Sequence, residues 1–190
     1  KTLSGGITVT GGSIRLGKTG TLASTVSMSG GKLEADETLT LSGALSHTAD
    51  ITIDVAGDKI FTYSGTAINV GANTITLSGG GSLVSGGMTL NDEDSKLLLN
   101  SITLDNASTS ANNSGIDVDA NSTVTSFSVG HTTPVSIKAN RTLSGSITVT
   151  AGSIKLGETG TLGSTVTMSG GTLEADNNLT LSGPLTQSGN

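Results

Sequence analysis

Carboxylates set two residues apart are the side chains here best placed to do chemistry. Glu34 and Asp36 form one such pair, and Glu174 and Asp176 repeat it later in the chain. On an extended strand, side chains two apart leave from the same face. That would set an acid beside a second carboxylate, as glycoside cleavage requires. The spacing of the cations favours a plainer role. Arg15 precedes Glu34 by nineteen positions, and Lys155 precedes Glu174 by the same interval. If the chain returns on itself at that interval, a cation stacks beside a carboxylate in both places. Lys18 and Glu37 share the interval, and both change together, to Glu158 and Asn177, in the second occurrence. The expectation is therefore an ion-pair ladder, each exposed pair contributing about 0.2–1 kcal/mol.

The other reactive groups are sparse. His47 and His131 are the only histidines, and neither has a partner at metal-ligand spacing, so structural or surface roles are expected. Asn91, Asp92, Glu93 and Asp94, and the pair Asp117 and Asp119, offer oxygen atoms of the kind calcium takes. No EF-hand loop or Gly-Gly-x-Gly-x-Asp nonapeptide accompanies them, and solvated turns are the expectation. A Gly-x-Ser-x-Gly nucleophile elbow is missing. Thr8 and Thr10, with Thr148 and Thr150, would present hydroxyl pairs suited to ordered water, but their register neighbours Ser27, Ser29, Ser46 and Thr48 break the threonine array. Glycosylation sequons fall at Asn106, Asn112, Asn121, Asn140 and Asn178. No residue is assigned a catalytic, cofactor-binding or metal-ligating role, and no cofactor is expected.

Composition narrows the classes further. The chain has no cysteine, which removes disulfides, thiolate metal sites and cysteine nucleophiles. A net charge of −6 argues against nucleic acid or an anionic membrane as partner, since both need clustered Lys and Arg. The longest aliphatic run, Leu97, Leu98 and Leu99, is far too short to span a bilayer. Aromatics are only 2%, so a core of large side chains is excluded, while 28 glycines suit many short strands joined by tight corners. With 13% charged residues the chain lacks the composition of disorder.

What must position these groups is a repeat. Residues 2–45 return as residues 142–185 with 34 of 44 positions identical. Inside the stretch, Leu3, Leu22 and Leu41 stand nineteen apart, as do Ile7, Val26 and Leu45. Ile14 and Leu33, and Leu16 and Ala35, keep the same interval. Unit periods of about 20 residues mark a solenoid whose turns bury their apolar side only by stacking on neighbours. The first such period, from Thr2 to Gly20, holds three short apolar pieces: Leu3, then Ile7 and Val9, then Ile14 and Leu16, separated by glycines. Three strands and three corners per turn describe a triangular rung. No sustained 3.6-residue period predicts a helix.

Later rungs are less regular. After Leu45 the sequence is read as dropping one residue, so that Ile51 and Ile53 take the third side. Residues 105–114 carry no aliphatic larger than alanine and are expected to bulge as a loop. Dividing the long unit by seven gives about 20 residues per coil, within the span of solenoid repeats. Residues 1–140 then form one complete unit of about seven coils, and residues 141–190 begin the next tandem copy in the same continuous solenoid. At a strand spacing of ~4.8 Å, nine or ten coils make a rod on the order of 45 Å long, a window on a longer array. Each buried aliphatic should contribute roughly 1.5–3 kcal/mol, and an uncapped end coil should pair with another end.

The Thr-Leu-Thr-Leu-Ser-Gly piece at residues 38–43, the Thr-Ile-Thr-Leu-Ser-Gly-Gly-Gly-Ser-Leu piece at 74–83 and the near-duplicate long unit together resemble the repetitive passenger and stalk regions of bacterial autotransporters and giant surface adhesins. That resemblance implies a right-handed parallel β-helix, export to the cell surface or beyond, and a stalk or adhesive role. The fold class expected is thus all-β, a parallel β-solenoid of about 19–20 residues per coil and nine to ten coils. The functional expectation is a non-enzymatic structural segment of an extracellular fibre, stalk or adhesin. Its partners would be neighbouring copies of the repeat, end to end or side by side. A module binding glycan or protein through its outward Ser/Thr/Asn face is the alternative, and a polysaccharide-active enzyme a third, although few aromatics are available as a sugar platform. Neither nucleic acid nor membrane insertion is expected.

Overall fold

The computed structural model describes residues 2–3, 5–106, 109–111 and 114–189. Among them there is no helix; 27 short strands follow one another around a three-sided coil. Every strand pairing within the three sheets is parallel, each strand lying against its counterparts one coil away. Alternation explains this locally. In Leu39–Leu41, Ile51–Val55 and Thr74–Ser78 every second side chain is apolar and buried, while the residues between are half exposed. An isolated strand of this length could not bury that side. Stacked on neighbours it contributes to one dry column, from Leu22 and Val26 through Phe61, Leu83, Leu104 and Phe127 to Leu162 and Val166.

The first face runs through Thr2–Leu3, Gly20–Leu22, Leu39–Leu41, Ile60–Tyr63, Ser82–Ser85 and Thr103–Asn106. The second begins with Gly6–Val9, Thr25–Met28 and Leu45–His47 and continues through Ile68–Asn69, Met88–Leu90 and Thr109–Ala111. The third stacks nine strands, from Ser13–Leu16 to Thr172–Ala175. In Ser122–Val129 and Thr142–Val149 the strand runs on around the corner from first face to second, with a bulge between Val124 and Phe127. Nine complete coils and two strands of a tenth result. Seven pairings on the first face separate Thr2–Leu3 from Thr142–Val149.

The registers give the coil length directly. Leu3 pairs with Leu22 and Leu22 with Leu41, which is the interval read from the sequence. The interval widens to 22 where Leu41 meets Tyr63 and Phe61 meets Leu83. It falls to 20 where Leu104 meets Val124, and returns to 19 where Leu143 meets Leu162. Added residues are absorbed at corners, where the ladder does not constrain the count.

Two expectations need correction. Ile51 and Ile53 do lie on the third face, but Leu33 pairs with Ile53 and Ala35 with Val55, so this coil gains a residue rather than losing one. The register chosen uses all three inward aliphatics of Ile51–Val55, each of them buried. Residues 105–114 do not form one long loop. Asp105 and Asn106 end the strand Thr103–Asn106, and Thr109–Ala111 is a strand paired on both sides; residues 107–108 and 112–113 lie outside the described residues. The ladder is made by backbone and does not require aliphatic side chains. Thr109 stacks between Met88 and Phe127, and Ala111 between Leu90 and Val129, so large neighbours fill the space that small residues leave.

Candidate functional site

The outward side chains sort by face. Every ion pair among the described residues lies on the third face or at the corner that follows it. Arg15 Nε reaches Glu34 Oε2 at 3.1 Å and Asp36 Oδ2 at 2.9 Å. Lys32 Nζ bridges Glu34, at 3.2 Å, and Asp54. The carboxylate pair expected to be a ladder is therefore engaged by two cations, Arg15 on both acids and Lys32 on Glu34. Lys155 meets Glu174 at 3.5 Å in the second copy, as the spacing indicates. Glu37, expected to face Lys18, instead pairs with Lys59 of the following coil at 3.0 Å. The widened coil brings Lys59 into reach.

The bridging matters because Glu34 and Asp54 are direct register partners, and like charges opposite one another destabilise a sheet. Lys32 has its pKa raised above the ordinary 10.5, chiefly by its hydrogen bond to Asp54, with burial acting the other way and the hydrogen bond to Glu34 adding to the rise. Lys138 is raised likewise by its hydrogen bond to Asp119, at 2.7 Å.

Three of the acidic groups considered for calcium are similarly occupied. Asp117 is paired with Lys96 of the coil before, and Asp119 with Lys138 of the coil after. Asp92 spends a carboxylate oxygen on the Asp94 amide at 3.0 Å, an Asx turn. Among the described residues no group of three or more His, Cys, Asp or Glu gathers where it could hold a metal ion.

The second face carries an uncharged column. Thr8, Ser27 and Ser46 are successive register partners, and Ser46 donates to Ser27 Oγ at 3.2 Å. After a break the column resumes as Asn69 and Thr89 and, past the backbone register partner Ser110, continues as Ser128, Thr148, Thr167 and Thr186. Of the sequons, Asn106 is buried inside the rod, Asn121, Asn140 and Asn178 are exposed, and Asn112 lies outside the described residues.

The break is where the histidine and the tyrosine act. Leu45–His47 and Ile68–Asn69 are not joined by a backbone ladder, although the first and third faces are continuous there. Tyr63, the only tyrosine, is buried, and its hydroxyl accepts from the Leu45 amide at 3.3 Å. His47 Nε2 lies 2.9 Å from Asn69 O, and Nδ1 lies 3.1 Å from Ala49 O. His131 is exposed, with no such bridging role among the described residues.

One set of polar residues was not singled out from sequence. Ser95, Ser114 and Thr133 recur at the same interval as Leu3 and Leu22, where the chain enters the third face, and all are buried. Their hydroxyls donate to Gly71 O, Leu90 O and Ala111 O of the preceding coil. The recurring hydroxyl just before an inward aliphatic was the signal for them.

Fold and faces together define a tandem-repeat parallel β-solenoid with one charge-laddered side and one hydroxyl-lined side. Comparison with protein-family models, with curated proteins and with solved structures finds no match to this chain.

Proposed function

We propose that this chain is a structural segment of an extracellular or cell-surface fibre, stalk or adhesin, lengthened by tandem copies of its long unit. One observation carries the reading: near-identical sequence builds corresponding coils twice, seven coils apart, in one continuous rod. A unit that rejoins its own pattern can be repeated without a new interface, and length then becomes the property that is varied. The charged side chains support it, because the carboxylates that might have worked as acid and base are held by Arg15 and Lys32 in ion pairs. Partners on this reading are further copies of the repeat, end to end.

Immunogold electron microscopy of the producing cells tests this. Label along thin threads at the cell surface is the expected outcome, and label confined to the cell interior would overturn it. Each added unit should lengthen the rod by roughly 34 Å, seven strand spacings.

The uncharged hydroxyl column of the second face favours a second reading, an adhesive module for glycans. A glycan array separates the two. A purely structural segment binds none of the arrayed sugars. An adhesive one binds through this face and loses binding when Thr89 and Thr148 are replaced by Glu.

A further inference from the structure

The junction between the third and fourth coils is the one place where the second face lacks its backbone ladder among the described residues. In the parallel pattern, Ile68 and Val70 direct their amides to the next coil, onto Gly87 O and Thr89 O. The Asn69 carbonyl therefore faces back toward Leu45–His47 and finds there not an amide but the His47 ring. The Leu45 amide, facing the other way across the same gap, finds the Tyr63 hydroxyl. Two side chains thus stand in for two missing backbone rungs. The chain makes room for this with residues 64–67 between the strands, where Gly65 lies so close to the Tyr63 ring that a Cβ would fall 2.3 Å from it.

The two rungs differ in one chemical respect. The tyrosine hydroxyl accepts from Leu45 through an oxygen lone pair, which needs no added proton. The imidazole has both nitrogens against carbonyl oxygens, Ala49 O and Asn69 O. A carbonyl oxygen can only accept, so both nitrogens must carry hydrogen for both contacts to be attractive. Only the imidazolium does. The neutral ring keeps one bond and sets a nitrogen lone pair against an oxygen lone pair at the other. In the second copy the same position is Gln187, whose Nε2 donates to Gly189 O at 3.1 Å, the equivalent i to i+2 contact.

We propose that His47 is a protonation-dependent clasp that closes the third-to-fourth coil junction when doubly protonated and lets its second face open when neutral. The groups around it leave the ring as the switching element. The flanking second-face strands Thr25–Met28 and Ile68–Asn69 carry no ionisable side chain. Asp50 is the nearest acid along the chain, and its carboxylate accepts from the Thr74 amide at 2.7 Å. Tyr63 is the other titratable group at the junction, and its hydroxyl is on Leu45. The device concerns the rod itself and is independent of what the rod is for.

The test uses the whole chain with His131→Gln, so that a single histidine remains. The His47 ring carbon and nitrogen shifts are followed by NMR from pH 5 to 9, with amide exchange protection factors measured at both ends of the titration. The expected result is two protonated ring nitrogens at the acid end. Protection across residues 44–48 and 67–70 should then fall by about tenfold on deprotonation, with no such change at residues 97–99, since a bond to a charged donor is lost. His47→Gln should show the low protection at both pH values. A ring that holds one proton at the acid end, or junction protection that ignores both the titration and the substitution, would overturn the proposal.

Discussion

The two copies of the repeat place the same residues in opposite circumstances. Ile14 and Leu16 of the first copy are only partly buried, because among the described residues no coil lies beneath them, while the identical Ile154 and Leu156, stacked on the seventh coil, are 0% and 1% exposed. At the other end the relation reverses. Leu41 is fully covered by the fourth coil, and Leu181, its twin, is 37% exposed with Leu185 at 51%. Local sequence decides which side chains point inward. Only the neighbour decides whether inward means buried. In this architecture a coil has little stability of its own, and the free energy resides in the contact between coils.

The strongest way to break that contrast is to truncate the same leucine in each copy. Leu41→Ala should cost about 2–5 kcal/mol, the ordinary range for emptying a covered aliphatic site. Leu181→Ala should cost less than about 1 kcal/mol, as surface substitutions do. Urea unfolding followed by circular dichroism gives both numbers, and equal losses would mean that a coil's stability is intrinsic after all.

A second pair sharpens it through the backbone. Gly5 and Gly145 are equivalent and have φ of +118° and +114°, a region that costs a residue with a Cβ about 1–2 kcal/mol. At Gly5 a Cβ would meet nothing within 4 Å, whereas at Gly145 it would fall 1.8 Å from the Val124 carbonyl oxygen of the coil below. Gly145→Ala should therefore exceed Gly5→Ala by about 1–3 kcal/mol, the cost of overpacking. The same unfolding curves measure it, and a vanishing difference would show that the stacked coils can part to admit a methyl group.

Much of this was legible in the sequence because a solenoid writes its third dimension as a period. The repeating interval placed Leu3, Leu22 and Leu41 in one register and Arg15 against Glu34, and the backbone pairing and the ion pair are both present. What the interval could not give were the coils that depart from it. Where the period widens to 22, the corner residues decide which strands meet, and corners carry no repeating pattern. The partner of Glu37 was missed for that reason. Residues 105–114 look like a loop because they hold no aliphatic larger than alanine, yet a strand does not require one: Met88 and Phe127 supply the bulk that Thr109 lacks. The roles of Tyr63 and His47 were hidden more deeply, since they exist only because a ladder is missing. Absence of a ladder has no sequence pattern of its own.

The smallest effect concerns a charged position of the network at which the second copy has a neutral residue. Lys32 is Thr172 in the second copy. In the first copy it holds apart two carboxylates, Glu34 and Asp54, that the register sets face to face. Lys32→Thr should cost about 0.5–1 kcal/mol at pH 7, in the range of exposed pairs and of like-charge contacts across a sheet. The sign of its pH dependence is fixed. The folded state raises the pKa of Lys32 above 10.5, so the contribution is complete below that value and is lost as pH rises through the raised one. Urea midpoints of the two proteins should therefore differ at pH 7 and converge above pH 10.5, and added salt should narrow the gap. Thr172→Lys should give a smaller gain, because among the described residues Glu174 is the only carboxylate that sits as Glu34 does, and no counterpart of Asp54 stands above it. A gap that survived both alkali and salt would move the role of Lys32 from its charge to the packing of its aliphatic stem, and the contrast between the copies at this position would then be steric rather than electrostatic.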